Sequence, residues 1–258
     1  MTAGATIVHR IVPLVAAALI GLAATPAAAF DGKPKLGPDA VPITAASDYL
    51  RQAPAPDYWR LSAFYVPQAT SSACSVASVA MAVNFARGLP PGAEEAIVTQ
   101  AALLEAVGDA DWAAKGAEGG DGVRFDEFVA KLRAALAAYG LDGIGLEVIR
   151  PADASAASLA TIRDALAANE GSDRDLILAY FNQGVLTGDW DGPHISPVGA
   201  YDAGTAHVLV MDVDREWYVP YWASDTKLLE AMLRPAPADQ GPLAGETGGL
   251  VWLRAAQR

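Results

Sequence analysis

Apolar residues recur at helical spacing through much of the first half of the chain. A run of small and apolar residues starts at Cys74 and ends before Gly88, which predicts a buried helix over residues 74–87. Residues 108–122 are rich in glycine and aspartate and predict a loop. Further helices are predicted over residues 94–107, 125–136, 159–166 and 225–233.

The pattern changes in the second half, where short apolar runs predict strands. Asp202, Ala203 and Gly204 separate two of these runs and predict a three-residue hairpin loop, with a glycine available for a positive φ. Helices that precede an antiparallel sheet indicate an α+β fold. The predicted strands cover residues 146–149, 175–181, 194–201, 205–213 and 250–253.

The N-terminal residues have the pattern of a signal peptide. His9 and Arg10 precede an apolar run, and Ala27-Ala28-Ala29 provides a small-residue cleavage site, which predicts a signal peptide over residues 1–29. We therefore expect an exported protein, periplasmic or secreted. The apolar run is short and interrupted by proline, so no membrane association of the mature form is expected, although a membrane anchor stays open as the alternative.

Two further segments divide the rest of the chain. Residues 30–56 are rich in proline and alanine and predict an arm or linker, with one short helix around residues 45–51. Residues 57–258 are then long enough for a complete domain with its own hydrophobic core.

Charge and cysteine count limit the function classes. The chain has 18 Lys and Arg against 30 Asp and Glu, a net charge of −12. Such a chain is not expected to bind the phosphates of nucleic acids or an anionic membrane surface. With Cys74 as the one cysteine, neither an internal disulfide nor a zinc site of several cysteines can form, and no metal ligands are predicted.

Cys74 is a candidate nucleophile. It begins the predicted helix, with Ser71 or Ser72 as the expected N-cap residue. Unpaired backbone N–H groups and the positive end of a helix dipole favour a thiolate, which is the reactive form of cysteine. The alternative is a small buried hydrophobic residue. A single thiol in an exported chain is exposed to oxidation, which favours a functional role.

The predicted hairpin supplies partners for this thiol. A three-residue loop places Tyr201 opposite Thr205, and His194 then lies opposite Asp212 on the same face of the sheet. An imidazole oriented by a carboxylate can accept a thiol proton. His207 faces the other way in this register and is the weaker candidate for the base. A β-bulge would reverse the assignment.

Gln68 lies six residues before Cys74. Its amide is a candidate donor to an oxyanion, with the backbone N–H of Cys74 as the second donor. Several alternatives remain open from the residues alone. Gln68 could be a surface amide, His194 a residue that caps a strand, and Asp212 a solvated acid. Asp214 is a competitor for Asp212 on the same face.

The order of these residues resembles that of papain-like thiol enzymes. Glutamine, cysteine, histidine and an acid follow one another as Gln68, Cys74, His194 and Asp212. The local sequences are similar to those of the phytochelatin synthase family, and the resemblance covers most of residues 68–251. It is carried by Ser72–Asn84, by Pro193–Tyr201 followed by Val208–Val213, and by Tyr218–Trp222.

The resemblance implies a papain-like cysteine protease fold for residues 57–258, with a helical N-terminal part and the catalytic cysteine at a helix start. It implies a triad of Cys74, His194 and Asp212, with Gln68 at the oxyanion hole. It also implies that Cys74 cleaves the Cys–Gly amide of glutathione and releases glycine. The γ-glutamylcysteinyl thioester would pass to water or to a second glutathione. Arg215 matches a family arginine and would bind a substrate carboxylate.

The chain departs from the family pattern at four places. Ser75 and Pro193 stand where the family usually has glycine next to the catalytic cysteine and histidine. Asn182 or Gln183 replaces one expected arginine, and Thr247-Gly248-Gly249 replaces a Ser-Arg-Gly segment. Bidentate arginine is the usual group that binds carboxylates, so its loss favours hydrolysis over efficient polymerisation.

The expected partners follow from the same resemblance. Glutathione or a similar small peptide is the predicted substrate, and a divalent soft metal, cadmium or zinc, is expected as a glutathione thiolate complex and not as a protein-bound cofactor. A homodimer is left open. Two other functions also remain open: a papain-like peptidase or amidase for another peptide, and a non-enzymatic metal-binding module that uses Cys74 and His194, with His207 as an optional third ligand.

Overall fold

A seven-stranded antiparallel sheet forms the centre of the part of the chain that the computed structural model describes, which is Met1 and residues 32–254. The strands are β1 Ala40–Pro42, β2 Gly145–Ile149, β3 Asp175–Asn182, β4 Pro193–Asp202, β5 His207–Val210, β6 Tyr221–Ser224 and β7 Gly249–Arg254. Their spatial order is β1-β6-β5-β4-β3-β7-β2.

Helices cover both faces of this sheet. They are α1 Asp48–Gln52, α2 Pro56–Ser62, α3 Cys74–Arg87, α4 Gln100–Val107, α5 Ala110–Lys115, α6 Phe125–Ala138, α7 Ala156–Glu170, α8 Gln183–Thr187 and α9 Asp225–Leu233, with a 3₁₀ helix at Gly241–Leu243. None of the helices in the described ranges is both long and apolar enough to cross a membrane.

Alternating residues of the strands supply two hydrophobic cores. Along the fully buried strand β3, Leu176 and Leu178 contact the core beneath α3 and α6, whereas Ile177 and Ala179 contact the core beneath α7 and α9. Side chains alternate between the two faces of a strand, so a strand that is covered on both sides is apolar at nearly every position. This explains the unbroken apolar run in the sequence.

The mixed composition of helices and an antiparallel sheet confirms the coarse fold prediction. The expected separation of helices first and strands later is incomplete, because β1 precedes all of the helices and α7 to α9 lie among the later strands. The predicted signal peptide, apart from Met1, lies outside the described residues.

The segment interpreted as an arm or linker joins the folded unit from Pro34 onward. Its strand β1 pairs with β6, where Ala40 lies opposite Ala223. The backbone carbonyl of Ala46 accepts a 2.8 Å hydrogen bond from the indole of Trp222. Backbone pairing and a buried indole thus hold part of a segment whose composition predicted an arm or linker.

Helix α4 is shorter than predicted, because residues 94–99 are not helical. The side chain of Asn84 makes two hydrogen bonds to the backbone of Val98, at 2.8 and 2.9 Å. Thr99 then caps α4 through its hydroxyl, which accepts from the Ala102 N–H at 3.1 Å. The predicted loop over 108–122 instead contains α5, capped by Asp109, with Trp112 fully buried.

The predicted register of the β4–β5 hairpin is wrong. Asp202 pairs with His207, so the loop has four residues, 203–206, and Ala206 rather than Gly204 takes the positive φ, at 57°. Both carboxylate oxygens of Asp202 accept hydrogen bonds from the loop, which stabilises its longer form. A register shift at Gly199 then moves the pairing by one residue. The longer loop and the register shift compensate each other, so His194 and Asp212 still lie on the same side of the hairpin, as predicted.

Candidate active site

A cavity of about 480 Å³ opens at the N-terminal end of α3. Three of the predicted site residues line it, namely Gln68, Cys74 and His194. Asp212 lies behind His194 and is fully buried. The structure therefore brings together the four residues that the sequence singled out for nucleophilic chemistry.

Cys74 is the first residue of α3 and is partly exposed. The predicted cap is wrong: the N-cap residue is Ala73, and no side chain caps the helix. The Ser71 hydroxyl donates to Glu118 at 2.8 Å and the Ser72 hydroxyl donates to the Gly120 carbonyl at 2.6 Å, so both serines hold the neighbouring loop. An uncapped first turn leaves backbone N–H groups available to a ligand.

The position of α3 relative to the sheet is set by polar contacts as well as packing. The Ser78 hydroxyl, one turn after Cys74, donates to the carbonyl of Ile195 at 3.0 Å. Ile195 directly follows His194, so this bond ties the helix of the thiol to the strand of the imidazole. The buried Ser75 hydroxyl accepts a 2.9 Å bond from the Trp112 indole. Serine in place of the family glycine thus anchors α5.

His194 is 4% exposed and directs its Nε2 away from the cavity. This nitrogen lies 3.0 Å from Asp212 Oδ1 and 3.0 Å from the Ser196 hydroxyl. A histidine that donates through Nε2 presents Nδ1 on its other side, and a hydrogen bond with the Cys74 thiol contributes to its electrostatic environment. Thiol, imidazole and carboxylate therefore stand in series.

The charges of this series reinforce one another. Burial disfavours a charged imidazole, but the Asp212 carboxylate and the Cys74 thiol together outweigh it and raise the pKa of His194 to about 10. Burial likewise disfavours the carboxylate, but His194 and two further hydrogen bonds outweigh it and lower the pKa of Asp212. At neutral pH the arrangement favours an imidazolium held by a carboxylate, which is the charge state that an adjacent thiolate requires.

Both carboxylate oxygens of Asp212 accept hydrogen bonds. Besides His194, Oδ1 accepts the backbone N–H of Asp214 at 2.9 Å, and Oδ2 accepts the Gln183 amide at 2.8 Å. The hydroxyl of Tyr65 donates to the backbone carbonyl of Asp212. A buried carboxylate is stable only when hydrogen-bonded in this way.

Gln183 is a site residue that the sequence did not assign. Its amide donates to Asp212, and its carbonyl oxygen lies 3.4 Å from the Tyr221 hydroxyl. Its neighbour Asn182 caps α8 and donates to Asp191 at 2.7 Å. One indirect sign in the sequence indicated that this position matters: Asn182 or Gln183 stands where the resemblance leads one to expect an arginine.

Gln68 lies beside Cys74 at the wall of the cavity. Its backbone N–H donates to the Val213 carbonyl at 2.8 Å, which fixes Gln68 next to the segment that carries Asp212. Its side-chain amide donates to the Ser71 carbonyl at 3.3 Å, while Oε1 is buried with no hydrogen-bond partner in the described residues. Such a long bond is readily exchanged for a stronger acceptor.

The remaining candidates lie elsewhere. Arg215 is exposed, and its guanidinium stacks 4.5 Å from the ring centre of Tyr65; it is not among the residues that line the cavity. His207 lines a separate cavity of about 330 Å³ beside Tyr49 and Trp222. Asp214 does line the main cavity but contacts Asp212 only through its backbone.

Of the residues in the metal-binding hypothesis, Cys74 and His194 share a cavity, whereas the optional third ligand His207 lines a different one. Within the described ranges, no group of three or more His, Cys, Asp or Glu side chains has the arrangement of a metal site.

Comparison with known proteins agrees with this geometry. A relative from Lotus japonicus, glutathione gamma-glutamylcysteinyltransferase 3, is 43% identical over 61 residues, which cover 23% of this chain and 12% of that protein. The family model described as phytochelatin synthase matches residues 43–241. This range includes every residue of the candidate site and most of the chain. We conclude that the chain belongs to the phytochelatin synthase family.

Proposed function

We propose that this protein is a papain-like cysteine acyltransferase or hydrolase that cleaves the Cys–Gly amide of glutathione. One observation carries the proposal: Cys74 begins a helix at a cavity that it shares with His194, and His194 is bonded to the buried Asp212. The family membership and the named activity of the Lotus japonicus relative support glutathione as the donor.

The reaction begins with attack of the Cys74 thiolate on the carbonyl carbon of the scissile amide. His194 then transfers its proton to the leaving nitrogen, the C–N bond breaks, and glycine departs. The products on the enzyme are a γ-glutamylcysteinyl thioester and a neutral imidazole. Asp212 keeps its charge throughout and orients the imidazole.

The negative charge on the carbonyl oxygen requires donors during the attack. The Gln68 amide and the backbone N–H of Cys74 are the proposed pair. No acceptor in residues 32–254 takes the Cys74 N–H. The Gln68 amide reaches the oxyanion by giving up its 3.3 Å bond to Ser71.

Water is the proposed main acceptor of the thioester. The neutral His194 removes a proton from water, the thioester is hydrolysed, and γ-glutamylcysteine and the thiol are released. Transfer to a second glutathione requires that its carboxylates be positioned, and positioning contributes several kcal/mol to a two-substrate step. A cadmium or zinc ion would enter as a glutathione thiolate complex, as part of the substrate.

The experiment is incubation of the protein with glutathione, followed by measurement of free glycine and of the intact protein mass. Glycine release together with an acyl adduct on Cys74 is the expected result, and the Cys74→Ala variant should show neither. Products with several γ-glutamylcysteine units that accumulate as fast as glycine would establish a synthase instead. Cleavage of other peptides without any glycine from glutathione would favour a peptidase.

A further inference from the structure

The segment that leads into the proposed nucleophile is bonded to residues 116–120, which we call the glycine loop. The Thr70 hydroxyl donates to the carbonyl of Gly116, and the Ser72 hydroxyl donates to that of Gly120, both at 2.6 Å. At Gly120 a Cβ would lie 2.5 Å from the backbone oxygen of the residue that precedes the loop, so the loop is tightly folded. Both acceptors are backbone carbonyls, and these two bonds therefore depend on the course of the loop and not on its side chains.

Glu118 adds a side chain to these contacts. Its Oε2 accepts the backbone N–H of Ser71 at 2.9 Å, and its Oε1 accepts the Ser71 hydroxyl at 2.8 Å. The oxygen of the same hydroxyl accepts the Gly119 N–H at 3.2 Å. A carboxylate that accepts two hydrogen bonds from one residue fixes the orientation of that residue. The bonds from Ser71 lower the pKa of Glu118, so its carboxylate is charged at neutral pH.

Ser71 lies between the two proposed oxyanion donors and is connected to both. Its carbonyl accepts the Gln68 side-chain amide at 3.3 Å. Its N–H belongs to the peptide group whose carbonyl, that of Thr70, accepts the backbone N–H of Ala73 at 3.3 Å. Ala73 immediately precedes Cys74. A fixed orientation of this peptide group therefore sets both the resting position of the amide and the turn that presents the Cys74 N–H.

From these contacts we infer that Glu118 is a positioning residue of the proposed oxyanion hole. Glu118 is not among the residues that line the cavity of Cys74. Its carboxylate acts through Ser71, which it holds so that the Gln68 amide and the Cys74 N–H meet the carbonyl oxygen of the substrate as charge develops there. The inference rests on the proposed function, because it concerns the same cleavage at Cys74.

The first test measures glycine release from glutathione by Glu118→Ala. This variant loses both bonds to Ser71 but keeps the bonds that the backbone of the glycine loop makes, so the fold should persist, which circular dichroism checks. We expect kcat to fall by about tenfold to hundredfold with little change in KM, because displaced donors weaken an interaction that is made in the transition state. Glu118→Gln keeps one acceptor oxygen, and its kcat should lie between those of the wild type and Glu118→Ala.

Glu216→Ala is the matched control. Glu216 is exposed, as Glu118 is, and both line a small cavity of about 160 Å³ that adjoins the main one. Glu118 bonds to Ser71, whereas Glu216 is not a partner of Ser71. The control removes an equal charge from the same neighbourhood and should keep the wild-type kcat. An equal loss of kcat in both variants would assign the effect to charge and overturn the inference.

Two further measurements separate positioning of the donors from a general loss of structure. Iodoacetamide alkylates a thiolate by displacement of iodide from a saturated carbon, so no oxyanion forms. The alkylation rate of Cys74 should therefore be the same in Glu118→Ala and in the wild type. In a Gln68→Ala background, Glu118→Ala should lower kcat by about threefold or less, because the effects of residues that act through one another do not add.

Three further outcomes would overturn the inference. Glu118→Ala could keep the wild-type kcat, it could slow alkylation as much as it slows glycine release, or it could have its full effect on kcat in the Gln68→Ala background. A failure of the proposed function looks different: the wild-type protein then releases no glycine from glutathione, and no acyl adduct appears on Cys74.

Discussion

The two ends of the β4–β5 hairpin each carry a histidine, and their surroundings differ. His194 is buried, bonded to Asp212 and Ser196, and lines the cavity of Cys74. His207 is partly exposed, and its Nδ1 lies 2.7 Å from the Thr205 carbonyl at the loop. The same side chain on the same hairpin is thus held by a carboxylate at one end and by a backbone turn at the other. The charged partners of His194 raise its pKa against the opposing effect of burial, so the surroundings and not the residue type set this value.

The largest expected effect concerns the two histidines directly. His194→Ala should lower turnover of glutathione by about 10³-fold or more, because it removes the group that accepts and returns the proton. His207→Ala should keep most of the activity. The measurement is glycine release at saturating substrate, with circular dichroism as a check of folding. A dead His207 variant with an active His194 variant would reverse the assignment.

The next effect concerns Asp212, the carboxylate that holds His194 and has no counterpart at His207. Asp212→Asn should lower kcat by about 10²- to 10⁴-fold, since the amide no longer stabilises the imidazolium or fixes its tautomer. The pKa of His194, followed by NMR of the ring protons, should fall toward its ordinary value. Asp202→Asn at the hairpin loop is the matched control. A wild-type His194 titration in Asp212→Asn would contradict the proposed pairing.

A third effect concerns stability as a function of pH. The folded-state pKa of His194 is raised above its unfolded value. The contribution of His194 to the free energy of unfolding is therefore fully present below about pH 6.5 and is lost as the pH rises toward 10. The pKa of Asp212 is lowered, so its contribution is present above its ordinary pKa and is lost in acid.

Urea denaturation at pH 6, 8 and 10 measures the effect of the raised pKa. The free energy of unfolding of the wild type should fall with pH by more than that of His194→Gln, which has no titrating group at this position. His207→Gln should follow the wild type. Equal pH dependence in wild type and His194→Gln would show that the pair does not stabilise the fold through its charge.

A smaller effect should come from Gln183, which contacts the carboxylate but not the cavity in this structure. Gln183→Leu removes a hydrogen bond to a charged group, worth about 1.5 to 3 kcal/mol, and should lower kcat by about tenfold or more with little change in KM. Gln183→Asn keeps the amide on a shorter side chain and tests whether the hydrogen bond to Asp212 needs the full length of glutamine. A change confined to KM would indicate contact with the substrate instead.

Several features of the site follow from local patterns in the sequence. The apolar run after Cys74 predicted a helix that begins at the thiol, and the structure has α3 at Cys74–Arg87. The period of two along the later strands placed His194 and Asp212 on the same side of the sheet. These predictions succeed because helix start and strand alternation depend on residues close together in the chain.

Other features depended on contacts between distant segments. The loop of the hairpin is longer than predicted because the Asp202 side chain stabilises it, and Gly199 then shifts the register. A Cβ at Gly199 would lie 2.8 Å from the Met211 side chain, so its small size fits this shift. An error in the loop and a shift in the strand left the faces unchanged, which the sequence could not show.

The sequence by itself determined which side chains could react: one cysteine at a helix start, a glutamine before it, and a histidine and an acid on two neighbouring predicted strands. Tertiary structure decided how each is held. Ser71 and Ser72 bond to residues almost fifty positions away instead of capping α3, and Gln183 reaches Asp212 across the sheet. Such partners cannot be read from local sequence, because a hydrogen bond depends on distances and angles that packing of remote segments sets.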